Sequence, residues 1–228
     1  DRYLEMVSMI SKPAMRGWEN TLSYARMRQP LPGRSIAALE IQTPYRKQME
    51  YFFSHFERLA DVIGKSKLIG QQALIIGPEP DEALLLQRLF PGIKQLHLVE
   101  WHEPKLDYLE QVLTGWQEKY PQFAKAQLHL ADAVNMEGIP TGAVQLVHMH
   151  QVVEFIEDQE GLMTPSRVPV KVLDVFREIK RVLAPDGHLF TLESKIDGRL
   201  ESSLYDMGFE RVRGNLLVLQ SDIWRKTR

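Results

Sequence analysis

Three residues are spaced as a nucleoside pocket needs them. Gly77 closes a short apolar run, Glu100 closes a second run 23 residues later, and Asp132 follows a third. A glycine at a strand end lets the backbone come close to a ligand. The helix that follows then offers its N-terminal N–H groups to an anionic group. An acid about 20 residues beyond such a turn is the usual acceptor for ribose hydroxyls. A carboxylate at the third strand end can accept a hydrogen bond from an exocyclic amine such as that of adenine. Each feature alone is common, as a turn glycine or a solvated acid. Their order and spacing together describe a pocket for an adenosine-containing ligand, with Pro78, Glu79, Trp101 and Ala133 as flanking candidates.

A second group lies at the end of a fourth apolar run, where His148, His150 and Gln151 stand together. Strand alternation puts both histidines on one face. His150, nearer the strand end, is the candidate general base, and His148 is a candidate ligand contact. The competing reading is a pair of hydrogen-bonded core histidines. A metal would need a further ligand such as Glu154 or Asp132, and none is expected.

The elements that must hold these residues alternate between strand and helix from residue 71 to residue 196. Strands are expected at Ala73–Ile76, Leu96–Glu100, Gln127–Ala131, Val144–Met149 and His188–Glu193. Helices are expected at Asp81–Phe90, Glu103–Tyr120 and Val170–Leu183, the last stopped by Ala184-Pro185-Asp186-Gly187. Such alternation implies a parallel sheet of short apolar strands, covered on both faces. A helix at Leu200–Met207 then leads into two strands, Phe209–Arg213 and Leu216–Trp224, turned at Gly214-Asn215. They form an antiparallel hairpin on an otherwise parallel sheet. The fold class is therefore α/β, a doubly wound, mostly parallel sheet of seven strands.

Residues 1–70 differ, with no good strand and helical spacing at Leu4, Val7, Ile10 and from Met49 to Ile63. The break at Gln29-Pro30-Leu31-Pro32-Gly33 separates two or three helices, the second starting at Thr43-Pro44 and ending near Gly64. Domains are thus expected at 1–70, a helical extension or lid, and at 71–228, the α/β unit. Trp18, Tyr24, Tyr45 and Tyr51, with Arg26, Arg28 and Arg46, are the residues with which such a lid would meet a small, acidic acceptor. The same helices offer a surface to a second copy of the chain or to a protein partner.

Composition narrows the classes further. With 228 residues, 44% hydrophobic and 25% charged, the chain can bury a core, which excludes disorder as its main state. There is no cysteine, which removes disulfides, thiolate metal sites and a cysteine nucleophile and suits a cytoplasmic location. No run reaches the ~18 uncharged apolar residues of a membrane span. The net charge of −2 divides as +4 over residues 1–70, −7 over 71–196 and +1 over 197–228, so no nucleic-acid footprint emerges. The chain opens on Asp1 with no secretory signal in view, and a trimmed start is expected.

Residues 71–224 resemble the class I methyltransferases that use S-adenosylmethionine. The run Gln145 to Asp158 is similar to that family's fourth strand and following turn, and Val175 to Phe190, with Arg181-Val182-Leu183-Ala184-Pro185-Asp186-Gly187, to its helix into the fifth strand. Leu98-Val99-Glu100 and Leu130-Ala131-Asp132-Ala133 match its ribose and adenine positions, and the terminal hairpin fits as well. The resemblance implies S-adenosylmethionine as cofactor, a small organic acceptor and a methyltransferase-like Rossmann fold. A nucleic-acid substrate is disfavoured, because no Asn/Asp-Pro-Pro-aromatic run follows the fourth strand. An aminopropyl-type transferase on the same sheet is a more distant alternative.

The first loop departs from the family. Its acid-x-Gly-x-Gly-x-Gly run keeps only Gly77. Ile75 replaces the acid, and Glu79 and Asp81 replace the later glycines. Two carboxylates beside the ligand's own carboxylate would repel it, at roughly 4 kcal/mol for a contact of about 4 Å at an effective dielectric near 20. Either Glu79 turns away or pairs with the ligand's amino group, or the chain is a non-catalytic relative kept as a binding or scaffold module.

Overall fold

The computed structural model describes residues 54–119, 121, 125–150, 152–153, 156, 170–193, 198–213 and 220–227. The expected helix start at Thr43-Pro44, the lid residues from Trp18 to Tyr51, Gln151, Glu154 and the Gly214-Asn215 turn lie outside them.

β1 (Gln72–Ile76) is an interior strand, and four of its five residues are apolar and buried, as a strand covered on both faces requires. β2 (Gln95–Glu100) pairs with it in parallel on one side and β4 (Val144–His150) on the other. β3 (Lys125–Leu130) extends the sheet beyond β2, and β5 (Leu183–Glu193) extends it beyond β4. β7 (Gln220–Lys226) and β6 (Phe209–Arg213) close it in antiparallel pairing. The order is β3-β2-β1-β4-β5-β7-β6. The order reverses between β1 and β4, and the ligand cleft of such a sheet lies there, beyond the carboxyl strand ends.

Helices cover both faces. Residues 54–63 form α1, followed after a short 3-10 turn by β1; α2 spans Pro80–Leu89 and α3 spans Glu103–Lys119. Phe56, Leu59 and Ile63 of α1, Leu84 to Leu86 of α2, and Val112 and Leu113 of α3 share one apolar layer with Ile75, Leu98 and Leu146. The part of the Phe-rich stripe that is described is thus core, as the helical spacing predicts. On the other face, α4 (Val170–Val182) and α5 (Gly198–Asp206) bury Val175, Phe176, Ile179 and Leu204 against Leu74, Val147 and Trp224.

Two elements differ from the sequence expectation. β3 is not a uniformly apolar strand: it starts at Lys125, stops at Leu130, and alternates exposed and half-buried residues. It is an edge strand with one neighbour, so only part of it needs to be covered. β5 begins at Leu183, directly after α4, rather than at His188. Leu183 pairs with Val144 and His188 with Leu146, so Ala184 to Gly187 are extruded as an irregularity within the pairing. Asp186 takes φ 57°, and a Cβ on Gly187 would meet the Ala184 carbonyl oxygen at 2.8 Å. That crowding explains why the turn carries glycine there.

The charged pair of α4 fixes the approach to β4. Arg181 donates to the Met136 and Ile139 carbonyls, each at 3.0 Å, and Glu178 accepts from the Met136 N–H at 2.7 Å. The two side chains also pair with each other at 2.7 Å. The loop that leads from β3 to β4 is therefore clamped from the helix, which sets the height at which β4 enters the sheet.

Candidate functional site

Gly77 stands at the carboxyl end of β1 with φ 66°, a conformation that strains any residue with a Cβ. Its N–H donates to the Val99 carbonyl at 2.9 Å, which ties the turn to β2. Pro78 is buried, and Glu79 is the N-cap of α2 with Pro80 in the first turn. Glu79 and Glu82 form a capping box, in which Glu82 Oε2 accepts from the Glu79 N–H at 3.0 Å. The helix end that faces an anionic ligand group in such folds is thus already served by carboxylates of the chain.

Those carboxylates are neutralised from a neighbouring helix. Lys105, in the first turn of α3, reaches Glu79 Oε1 at 3.0 Å and Glu100 Oε2 at 3.1 Å. Its Nζ also donates to the Gly77 carbonyl at 3.5 Å. Burial works against the Lys105 charge, but the Glu79 and Glu100 carboxylates outweigh it and hold its pKa above the ordinary lysine value. Burial pushes Glu79 up, with Lys105 opposing it. Glu100 is buried at the end of β2, where its second oxygen accepts from the His102 N–H at 3.0 Å. Both oxygens of the expected ribose acceptor are therefore engaged within the protein.

Deeper in the same region Glu82 is fully buried between two histidines. Its Oε1 lies 2.9 Å from His150 Nδ1 and 3.4 Å from His148 Nε2. Burial alone would raise the Glu82 pKa, yet the two imidazoles hold it far below the usual carboxylate range. His148 is closed off from solvent, donates through Nδ1 to the Phe190 carbonyl at 3.2 Å, and stacks on Phe190 with Phe56 edge-on. His150 retains some exposure at the last position of β4. The two expected partners on one strand face thus occupy different environments, one in the core and one at the cleft.

The far end of the cleft is open. Trp101, directly after β2, is 56% exposed, and Leu130, which ends β3 opposite Glu100, is 53% exposed. Asp132 follows two residues later, and Ala133 packs partly against the core. Asp132 Oδ1 accepts from the Val134 N–H at 3.2 Å and Oδ2 meets Lys171 Nζ at 3.2 Å, with both side chains well exposed. A planar ring could lie over Trp101 and Leu130 with its amine toward Asp132. Among the described residues no group of three histidine or carboxylate side chains could hold a metal ion. No described helix is long and apolar enough to cross a membrane.

Lys105 and Glu82 are absent from the sequence expectation. Glu82 carries a readable signal, since an acid three residues after an N-cap acid is capping-box spacing. Lys105 carries less: a lysine in the first turn of a helix ordinarily faces water, and only the fold brings it over Gly77.

No family model matches the sequence, and no curated protein matches it. Solved structures do match its fold. One is a SAM-dependent methyltransferase from Aquifex aeolicus, 14% identical, covering 76% of this chain and 97% of its own, with a TM-score of 0.50. Another is a SAM-dependent methyltransferase from Methanosarcina mazei, 14% identical, covering 70% and 93%, with a TM-score of 0.53. Together with the strand order, these likenesses give the chain the Rossmann-like fold of class I S-adenosylmethionine-dependent methyltransferases.

Proposed function

We propose that the chain is an S-adenosylmethionine-dependent methyltransferase acting on a small organic acceptor. The observation that carries this reading is the placement of Gly77, Glu100 and Asp132 at the carboxyl ends of three adjacent strands, beside an exposed Trp101 and Leu130. Trp101 and Leu130 would hold the adenine ring, Asp132 its amine, and Glu100 the ribose. S-adenosylmethionine, when bound, supplies an activated methyl group, so the protein's work is mainly alignment. His150 would take the acceptor's proton, with Glu82 fixing the imidazole through Nδ1. Arg26, Arg28 and Arg46 are the groups that would meet an acidic acceptor.

One observation favours a second reading, a non-catalytic relative that keeps the fold as a binding module. Lys105 already satisfies Glu79 and Glu100, and the loop lacks the family's later glycines. Calorimetric titration with S-adenosylmethionine and S-adenosylhomocysteine separates the two. Saturable binding below millimolar, weakened in Asp132→Ala, supports the enzyme. No heat from folded protein at millimolar ligand rejects it.

A further inference from the structure

At the end of β1 the chain carries both charges of an amino acid. The Lys105 ammonium has three acceptors around it: Glu79 Oε1 at 3.0 Å, Glu100 Oε2 at 3.1 Å and the Gly77 carbonyl at 3.5 Å. That set uses all three N–H donors of an ammonium group. The Glu79 carboxylate, its partner, belongs to the N-cap of α2, where a helix N-terminus attracts an anion. A ligand that brings its own ammonium and carboxylate to this point would find both places taken. It would enter only by exchanging one cation for another, with the charge balance of Glu79 and Glu100 kept and Lys105 released to solvent. Lys105 is suited to that exchange, since its side chain is 25% exposed and its four-carbon stem rises from the first turn of α3. The adenine end of the cleft needs no such exchange: Trp101 is 56% and Leu130 53% exposed.

We propose that the Glu79–Lys105 ion pair is an internal stand-in for the amino-acid end of the ligand. In this form the cleft takes an adenine nucleoside without its amino-acid tail, and admits the tail only when the pair opens. Lys105 is then the residue that sets selectivity between a neutral thionucleoside and a zwitterionic one. This rests on the adenosine-binding reading above and goes beyond it by naming which part of the ligand the folded site selects.

The test is the ratio of two affinities, measured by calorimetry with 5′-methylthioadenosine and S-adenosylhomocysteine. In the unaltered protein the two should bind within about threefold of each other, because the tail gains little when it must first displace Lys105. In Lys105→Met, which keeps the stem and loses the charge, the ratio should shift by about tenfold or more toward S-adenosylhomocysteine. The double variant Glu79→Ala with Lys105→Ala should shift it in the same direction. Tighter binding of S-adenosylhomocysteine by about tenfold or more in the unaltered protein would overturn the proposal without any variant. An unchanged ratio in a folded Lys105→Met, or a shift toward methylthioadenosine, would also overturn it while leaving the adenosine reading intact. Absence of binding for both nucleosides in the unaltered protein and in folded variants would overturn that reading and the proposal together.

Discussion

Over the Gly77 turn, Glu79 of the α2 cap and Glu100, the last residue of β2, share Lys105, and Glu82 lies between His148 and His150. At the ends of β2 and β3, by contrast, Trp101 and Leu130 stand exposed and Asp132 keeps only surface partners. The two halves of one cleft are thus built differently. One has spent its polar groups on one another and is closed by charge pairing. The other presents apolar surface and an accessible carboxylate. The difference separates what the fold alone provides from what this chain adds: strand ends offer the same edge everywhere, and side chains decide which part of that edge remains open.

The comparison is most easily broken at Glu82. Glu82→Ala removes the carboxylate from between two histidines and one half of the α2 capping box, and removal of one partner of a buried charged cluster typically costs about 3–5 kcal/mol. Urea unfolding should register that loss, whereas a change below ~1 kcal/mol would mean the closed half is not held by this cluster. Trp101→Ala should leave stability within about 0.5 kcal/mol and weaken nucleoside binding by about 1–3 kcal/mol, the usual worth of a stacked base. Gly77→Ala places a Cβ at φ 66° and should lower stability by about 1–2 kcal/mol. Lys171→Ala, which cuts an exposed pair with Asp132, should change stability by less than ~1 kcal/mol and leave Asp132 freer to meet a ligand amine.

Acid should act away from the cleft first. His97 on β2 donates through Nε2 to Gln72 Oε1 at 2.8 Å, and its Nδ1 accepts from His129 Nε2 at 3.0 Å. The two rings cannot both be charged in that chain of bonds, because one of the two facing nitrogens must accept. Burial, with His129 adding to it, lowers the His97 pKa to about 4 from 6.5, and burial lowers His129 as well. The folded state therefore prefers the uncharged ring. Its contribution is complete above pH 6.5 and is lost progressively as the pH falls toward about 4. Unfolding free energy measured across that window should decline less steeply in His97→Gln than in the unaltered chain.

Much of the fold was legible because its signals are local. Short apolar runs, helical spacing and the Pro-Gly stops place β1, α2, β2 and α3 within a residue or two of where they lie. The turn at Ala184 to Gly187 was legible, but the start of β5 at Leu183 was not, because its pairing with Val144 depends on a neighbour 39 residues away, not on the local sequence. The site was legible in part for the same reason. Gly77, Glu100 and Asp132 follow from strand ends, while the place of Lys105 over Gly77 depends on how α3 packs against β2, β3 and α2. The separate surroundings of His148 and His150 also escape strand alternation, which gives their face but not that Phe56 and Phe190 close over only the first.

An adenine ring received by the open half of the cleft would stack on Trp101 and change its emission. Tryptophan fluorescence during titration with S-adenosylhomocysteine tests that stacking most directly, with Trp101→Phe as the partner experiment. A saturable change is expected in the unaltered protein and is lost in Trp101→Phe, although calorimetry still detects binding there. An identical change in both proteins, or none at millimolar ligand, would contradict it.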